Sequence, residues 1–242
     1  MHAHECSRQD NTFNYDLCVF GSDGYVHELW EGLQLRAVAD KPIQGPCDES
    51  LMGPYIERRM QELIPGTAIS VAFVRSAETD RQRRSDGAIQ IALREKTEVL
   101  RRPDGKPEVC FGHFVSASHA RDLTLAIAGP DPVGCDIERV VDRTVSQWLD
   151  LLGENRFALA NFVAKNLDEA LTLAATRIWT ATEALTKVGI MTDAPIRLDS
   201  LHATDWALFS SGSFKIASLP MQIRDNAEKL VLSVVTQLVS GK

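Results

Sequence analysis

The chain has 242 residues, 44% of them apolar and 24% charged, an ordinary globular balance that excludes a disordered, collagenous or low-complexity protein. Its net charge of −7 argues against a general nucleic-acid binder, and no run approaches the ~18 apolar residues of a membrane-crossing helix. Cys6, Cys18, Cys47, Cys110 and Cys135 are odd in number and lack CxxC spacing, against both a disulfide framework and a zinc knuckle. The polar start MHAHECSRQDNTFNYD lacks the apolar core of a signal peptide, so the expected location is the cytoplasm.

In chain order, residues 15–36 read as a β-hairpin, with YDLCVF and YVHELWEGLQLR flanking the turn-forming Gly21-Ser22-Asp23-Gly24. The proline- and glycine-bearing DKPIQGPCDES is the expected boundary. It separates an N-terminal hairpin and linker, 1–49, from a main domain, 50–242. Residues 50–64 form a helix with Pro54 in its first turn and Ile56, Met60, Leu63 and Ile64 at helical spacing, closed by Pro65-Gly66. Residues 68–74 are strand-like, and 78–94 form a basic helix with Arg81, Arg84, Ala88 and Ile91 near one stripe. RRPDGKPEV is a turn-rich connection. Strands at 114–117 and 123–128 bracket Ser118-His119-Ala120-Arg121-Asp122, and VGCDIE is the next strand after Pro130-Asp131-Pro132. One apolar stripe then runs through Leu167, Leu171, Ala174, Ala175, Ile178 and Leu185. The tail offers three strands, WALFS, SFKIASL and LVLSVVTQL. Helices and strands mix in both halves without regular βαβ alternation, which predicts an α+β fold on largely antiparallel sheets.

Three patterns carry chemistry. In VGCDIE, strand alternation sends Val133, Cys135 and Ile137 to the core and Asp136 and Glu138 together to the other face, with Gly134 leaving room beside them. Two acids so placed repel unless solvated or bridged by a cation, Mg²⁺ being the natural oxygen-ligated ion. In WTATEALTK, Glu183 and Lys187 stand one helical turn apart. That is the spacing of an ordinary i,i+4 ion pair and equally of two groups facing one ligand. Ser118-His119 could hold a phosphate, or simply lie at the surface. The basic run from Arg75 to Lys106, which includes Arg81, Arg83, Arg84, Arg101 and Arg102, suits either a solvated helix face or a polyanion site.

Together these motifs resemble the 4′-phosphopantetheinyl transferases of the two-lobed type. That family carries a (I/V)-G-(I/V)-D-(I/V)-E strand and, some forty residues later, W-(S/T/C)-x-x-E-(A/S)-x-x-K on a helix. Here these are VGCDIE and WTATEALTK, with Asp136 and Glu183 separated by 47 positions. The family's G-K/R-P loop and S-H strand end have counterparts in Gly105-Lys106-Pro107 and Ser118-His119, and Arg84 suits its first-lobe arginine. Cys135 departs from the usual β-branched residue, and Thr182 stands where many members carry lysine.

The resemblance implies two similar lobes, a pseudo-dimer of half-domains at roughly 50–130 and 131–242, with an N-terminal β-hairpin extension. It implies transfer of 4′-phosphopantetheine from coenzyme A to a serine of an acyl carrier protein. Asp136, Glu138 and Glu183 would hold Mg²⁺. Arg83, Arg84, Lys106, Ser118, His119 and Lys187 would bind coenzyme A. Glu183, Lys187 and Glu154 would be catalytic. The expected partner is a carrier protein or a carrier domain in the same polypeptide, with no nucleic acid and no membrane, the isolated domain acting as a monomer. Residues 15–36 resemble the closing strands of a polyketide synthase dehydratase domain. The expected parent is therefore an iterative synthase of the enediyne type, with this domain at its C-terminus. The alternative is a non-catalytic module that docks coenzyme A or a carrier protein. A P-loop enzyme is disfavoured because no GxxxxGK[ST] occurs.

Overall fold

A computed structural model of the chain describes residues 1–9, 12–21, 23–36, 46–109, 112–202, 205–224 and 228–237. Most of the expected linker, together with Ser22 and Cys110, lies outside these residues. The chain divides into two units, Met1–Gln44 and Gly45–Lys242. No helix among the described residues is long and apolar enough to cross a membrane.

The first unit is one antiparallel sheet in the order β1 (His2–Gln9), β2 (Thr12–Phe20), β3 (Val26–Arg36). The expected hairpin is β2–β3, and β1 adds a third strand. No described side chain of this unit is buried, so HAHECSRQ can form a strand without the apolar alternation that marks a half-buried one.

The second unit opens with α1 (Glu49–Leu63), whose N-cap Asp48 accepts from the Ser50 N–H. That cap places Pro54 in the second turn rather than the first. Strand β4 (Ser70–Arg75) leads to α2 (Arg81–Leu93), where Asp80 accepts from the Gln82 and Arg83 N–H groups. Helix α2 buries Ala88, Ile89 and Ala92, while Ile91 is 56% exposed and leaves the expected stripe. A small hairpin, β5 (Val99–Arg101) and β6 (Pro107–Val109), spans the turn-rich connection. Strands β7 (Phe114–Ala120) and β8 (Leu123–Gly129) follow, so Ser118 and His119 lie within a strand and not in the turn after it. Strand β9 (Val133–Arg139) precedes α3 (Val145–Leu167), which starts with a capping box of Thr144 and Gln147 and kinks at Gly153. The stripe expected to be one helix through 167–185 is the end of α3 plus α4 (Leu171–Lys187), separated by Asp168 in the left-handed conformation, φ 51°. Four strands close the chain: β10 (Arg197–Leu201), β11 (Ala207–Ser211), β12 (Phe214–Gln222) and β13 (Lys229–Gln237).

The fold is thus mixed α+β. The larger sheet runs β10-β11-β12-β13-β9 and the smaller β4-β8-β7, and every pair in both is antiparallel. The two share a connectivity. In each, a first strand (β4 or β9) is followed by helix, and the last strand of the segment (β8 or β13) then pairs with both that first strand and its immediate predecessor. Apolar side chains of α1 (Ile56, Met60), β8 (Leu125, Ile127) and β9 (Cys135, Ile137) pack in one core with Leu232 of β13. Each fully buried Ile or Leu there contributes about 1.5–3 kcal/mol. A second core joins α3 and α4 to β11–β13 through Trp148, Ala181, Phe209 and Val235. Within it Arg177 of α4 is only 1% exposed, and it is matched: it pairs with Glu169 and donates to the Ser218 and Asp205 carbonyls at 3.0 and 2.9 Å.

Candidate functional site

Strand β9 is the last of its sheet, with β13 on one edge only. At its other edge the backbone of Cys135 is satisfied by side chains. The Cys135 N–H donates to Ser116 Oγ at 3.2 Å, and the Cys135 carbonyl accepts from Lys187 Nζ at 2.8 Å. Buried backbone groups need such partners, and supplying them from β7 and α4 fixes where both elements lie. Alternation along β9 works as the sequence suggests: Val133, Cys135 and Ile137 are buried in the core. The opposite face is covered by α4 at Gly134 and Asp136 and is partly open at Glu138. A Cβ at Gly134 would lie 2.3 Å from the Ala184 carbonyl oxygen. The glycine therefore makes room for a helix backbone, not for a ligand beside the acids.

Asp136 is consequently buried, 4% exposed. Its Oδ1 accepts from Ser118 Oγ at 2.7 Å and from Lys187 Nζ at 3.0 Å, while its Oδ2 is buried without a partner. Lys187 spends its third N–H on the Ala117 carbonyl at 3.3 Å. Among the described residues its ion pair is with Asp136, not with Glu183 one turn earlier. Burial and then the Asp136 charge hold the carboxyls of Glu138 and Glu183 above the usual range; Lys187 opposes this at both, and Arg143 at Glu138. The three acids thus share one electrostatic neighbourhood with an excess of negative charge. An all-oxygen donor set with an orphaned buried oxygen fits a hard divalent cation such as Mg²⁺. The donor atoms of the three do not all close to within 4.8 Å of one another. Burial also pushes the Cys135 thiol up to about 11, so it is inert.

On the other side of Lys187 is a cavity of about 930 Å³, walled by the start of α2, the β5–β6 hairpin, β7 and the end of α4. Arg81, Arg101, Arg102, Lys106 and Lys187 line it against two acids, Asp104 and Glu108. Lys106 Nζ donates to the Thr186 carbonyl at 3.1 Å, tying the hairpin to the C-terminus of α4. Arg101 pairs with Asp86 of α2. His119 also lines the cavity, its ring nitrogens 2.9 Å from Ser85 Oγ and from Thr124 Oγ1. Burial, then the charges of Arg84, Arg81, Lys187 and Arg101, lower its pKa to about 4. An imidazole surrounded by four cations marks a place where positive potential is concentrated.

Of the expected residues, the structure brings together Asp136, Glu138, Glu183, Lys187 and Ser118 in the acidic cluster, and His119, Lys106 and Lys187 at the cavity. Arg84 stands behind the cavity wall and donates to the Arg121 carbonyl at 2.6 Å. Arg83 turns away: its side chain is 77% exposed and faces Glu78 and Asp80 at 4.0 and 3.8 Å. Glu154 is exposed just after the kink at Gly153, outside the cavity lining and outside the charges acting on Glu138 and Glu183. The sequence reading had Arg81 only as one member of the basic run and missed Ser85; both face the cavity from α2. Their i,i+4 spacing was the available signal, and the Ser85 hydroxyl donates to the Arg81 carbonyl at 3.0 Å. No family model matches the chain, and no curated protein matches it.

Proposed function

We propose that the chain is a Mg²⁺-dependent 4′-phosphopantetheinyl transferase that moves the phosphopantetheine arm of coenzyme A onto a serine of an acyl carrier protein. The observation that carries this reading is Lys187. It lines a cation-rich cavity large enough for a nucleotide and at the same time pairs with the buried acid of an oxygen-only cluster. Phosphoryl transfer needs those two features side by side: positive groups that hold a diphosphate, and carboxylates that hold a divalent ion against it.

In this reading the carrier serine oxygen attacks the β-phosphorus. The bond from that phosphorus to the bridging oxygen breaks, adenosine 3′,5′-bisphosphate leaves, and the serine proton passes to a base. His119, Arg81 and Arg101 grip the nucleotide phosphates, with Arg84 behind them, and Lys106 lies at the rim. Asp136, Glu138 and Glu183 are the residues that would hold Mg²⁺, whose contribution when bound is to neutralise diphosphate charge. Glu154 serves as the base only if the segment after Gly153 approaches on carrier docking. A loss of only a few-fold in rate in Glu154→Gln would assign the proton to a water instead.

The repeated connectivity of the two sheets supports a two-lobed pseudo-dimer, with the site where the halves meet along β7 and β9. The acting form is a cytoplasmic monomer, and the carrier is a domain of the same synthase, so that tethering supplies a high effective concentration. The test is to incubate the protein with coenzyme A, Mg²⁺ and apo carrier proteins and weigh the carriers. A gain of one phosphopantetheine arm, lost in Asp136→Asn while the fold persists, is the expected result. Unchanged mass across several carriers, with coenzyme A still bound by calorimetry, would leave a docking module in its place.

A further inference from the structure

The first unit carries a second constellation, of different chemistry. In the β1–β2 ladder His4 stands opposite Asp16, and His2 stands opposite Cys18. Cross-strand partners and residues two apart share a sheet face, so four metal-competent side chains lie on one face. Cys6, two residues beyond His4, joins them where the ladder shifts register between Glu5 and Ser7. One donor atom each of His4, Cys6 and Asp16 lies within 4.8 Å of the other two. Cys6 Sγ is 3.7 Å from His4 Nδ1. A tetrahedral Zn²⁺ with Zn–S of about 2.3 Å and Zn–N of about 2.05 Å sets those two atoms about 3.6 Å apart, so this pair of donors already spans the edge of a zinc tetrahedron. Asp16 is oriented from behind: its Oδ1 accepts the Gly32 N–H at 2.8 Å, with Gly32 at φ +66°. Such outer partners are what hold metal ligands in place.

We propose that His4, Cys6 and Asp16 form a site for a late first-row divalent cation, Zn²⁺ above all, with the fourth position open to water. On binding, the Cys6 thiol gives its proton to solvent and the thiolate sulfur donates to the metal. Thiolate and carboxylate together cancel the charge of the ion. The soft sulfur and the imidazole exclude Mg²⁺, so this site is independent of the acidic cluster. There is a physical reason for a metal here. The unit has no buried side chain among its described residues, and sheets this small ordinarily need a staple.

Titration of the full chain with Co²⁺ alone, in excess Mg²⁺, tests the site. One equivalent should bind with a thiolate-to-cobalt charge-transfer band. The band should vanish in Cys6→Ser, need at least about tenfold more metal in His4→Asn, and persist in Asp136→Asn. Zn²⁺ should bleach it and protect one thiol from an aromatic disulfide reagent. A band that is absent, survives Cys6→Ser, or is lost in Asp136→Asn would overturn the proposal. All the substituted residues of this site are partly or fully exposed, and circular dichroism of each variant confirms that its strands persist.

Discussion

Gly134→Ala adds one methyl group where α4 crosses β9. The new Cβ would lie 2.3 Å from the Ala184 carbonyl oxygen and 3.0 Å from Val188 Cγ1, where ordinary contact begins at 3.4 Å. Relieving the first contact requires 3.4 − 2.3 = 1.1 Å of separation. No side-chain rotation provides it, because the obstacle is backbone. Strand β9 is laddered to β13, and α4 is anchored by Arg177 and by the Thr180–Ser233 hydroxyl pair at 2.7 Å. Overpacking costs about 1–3 kcal/mol, and two fixed backbones put this variant near about 3. A retreat of ~1 Å by α4 would also carry Glu183 and Lys187 away from Asp136, a misplacement worth about 10²-fold in rate where such groups act in catalysis. Urea unfolding reads the first effect and carrier modification the second. The control is Gly87→Ala in α2, where a Cβ meets nothing within 4 Å; there the same methyl should stabilise by about 0.4–1 kcal/mol. Equal stability of the two variants, to within about 0.5 kcal/mol, would refute the role of Gly134 as the spacer between helix and strand.

Lys187→Met should destabilise by about 3 kcal/mol, because it leaves Asp136 buried without its cation. Asp136→Asn in that background should recover part of the loss, and strictly additive losses in chemical denaturation would show that the pair is not coupled. His119 makes stability depend on pH: its pKa of about 4 in the fold lies below the ordinary 6.5, so the unfolded chain takes up the proton first. The contribution is complete above about pH 6.5 and is lost as pH falls to about 4. The full shift corresponds to about 3.4 kcal/mol, and solvent screening of this half-buried ring reduces it to about 1–2 kcal/mol. Identical pH profiles of unfolding free energy for the parent and His119→Asn would sink that prediction.

Sequence periodicity read the buried elements well and the unburied ones poorly, for one reason. Alternation in VGCDIE or LVLSVVTQ records a strand with at least one face in a core. HAHECSRQ and RLDSL are strands at sheet edges, with few or no buried side chains, so no pattern was imposed on them. The break between α3 and α4 was hidden because apolar positions on either side of Asp168 fall in phase. Only the left-handed backbone there, φ 51°, separates the helices. The acids were found because like charges two apart on a strand are costly without a purpose. The partner of Lys187 was not found, since an i,i+4 glutamate is visible in a sequence and an aspartate 51 residues away is not. Arg83 and Arg81 could not be told apart by composition. Which of them reaches the cavity depends on the start of α2, and that is set by a single residue, Asp80, at its N-cap.

The charges at the centre of the second unit do not balance locally, in either direction. Asp136, Glu138 and Glu183 are met by Lys187 and, at Glu138, by Arg143, which leaves the cluster one positive charge short. With Lys187 counted at the cluster, the cavity has four cations, Arg81, Arg101, Arg102 and Lys106, against Asp104, Glu108 and the Asp86 that pairs with Arg101, an excess of one positive charge. A protein selected for stability alone would pair these groups, since unmatched like charges in a partly buried site destabilise it. Here they are kept apart, with only Lys187 touching both sides. A neutral complex then requires two ligands of opposite sign, a cation at the carboxylates and a polyanion at the arginines, each bound more tightly when the other is present. On the proposed function these two ligands are Mg²⁺ and coenzyme A, and reciprocal coupling of their affinities is the expected outcome. Calorimetric titration of each in the presence and absence of the other should show it, and equal affinities in both would mean that the two halves are electrostatically separate.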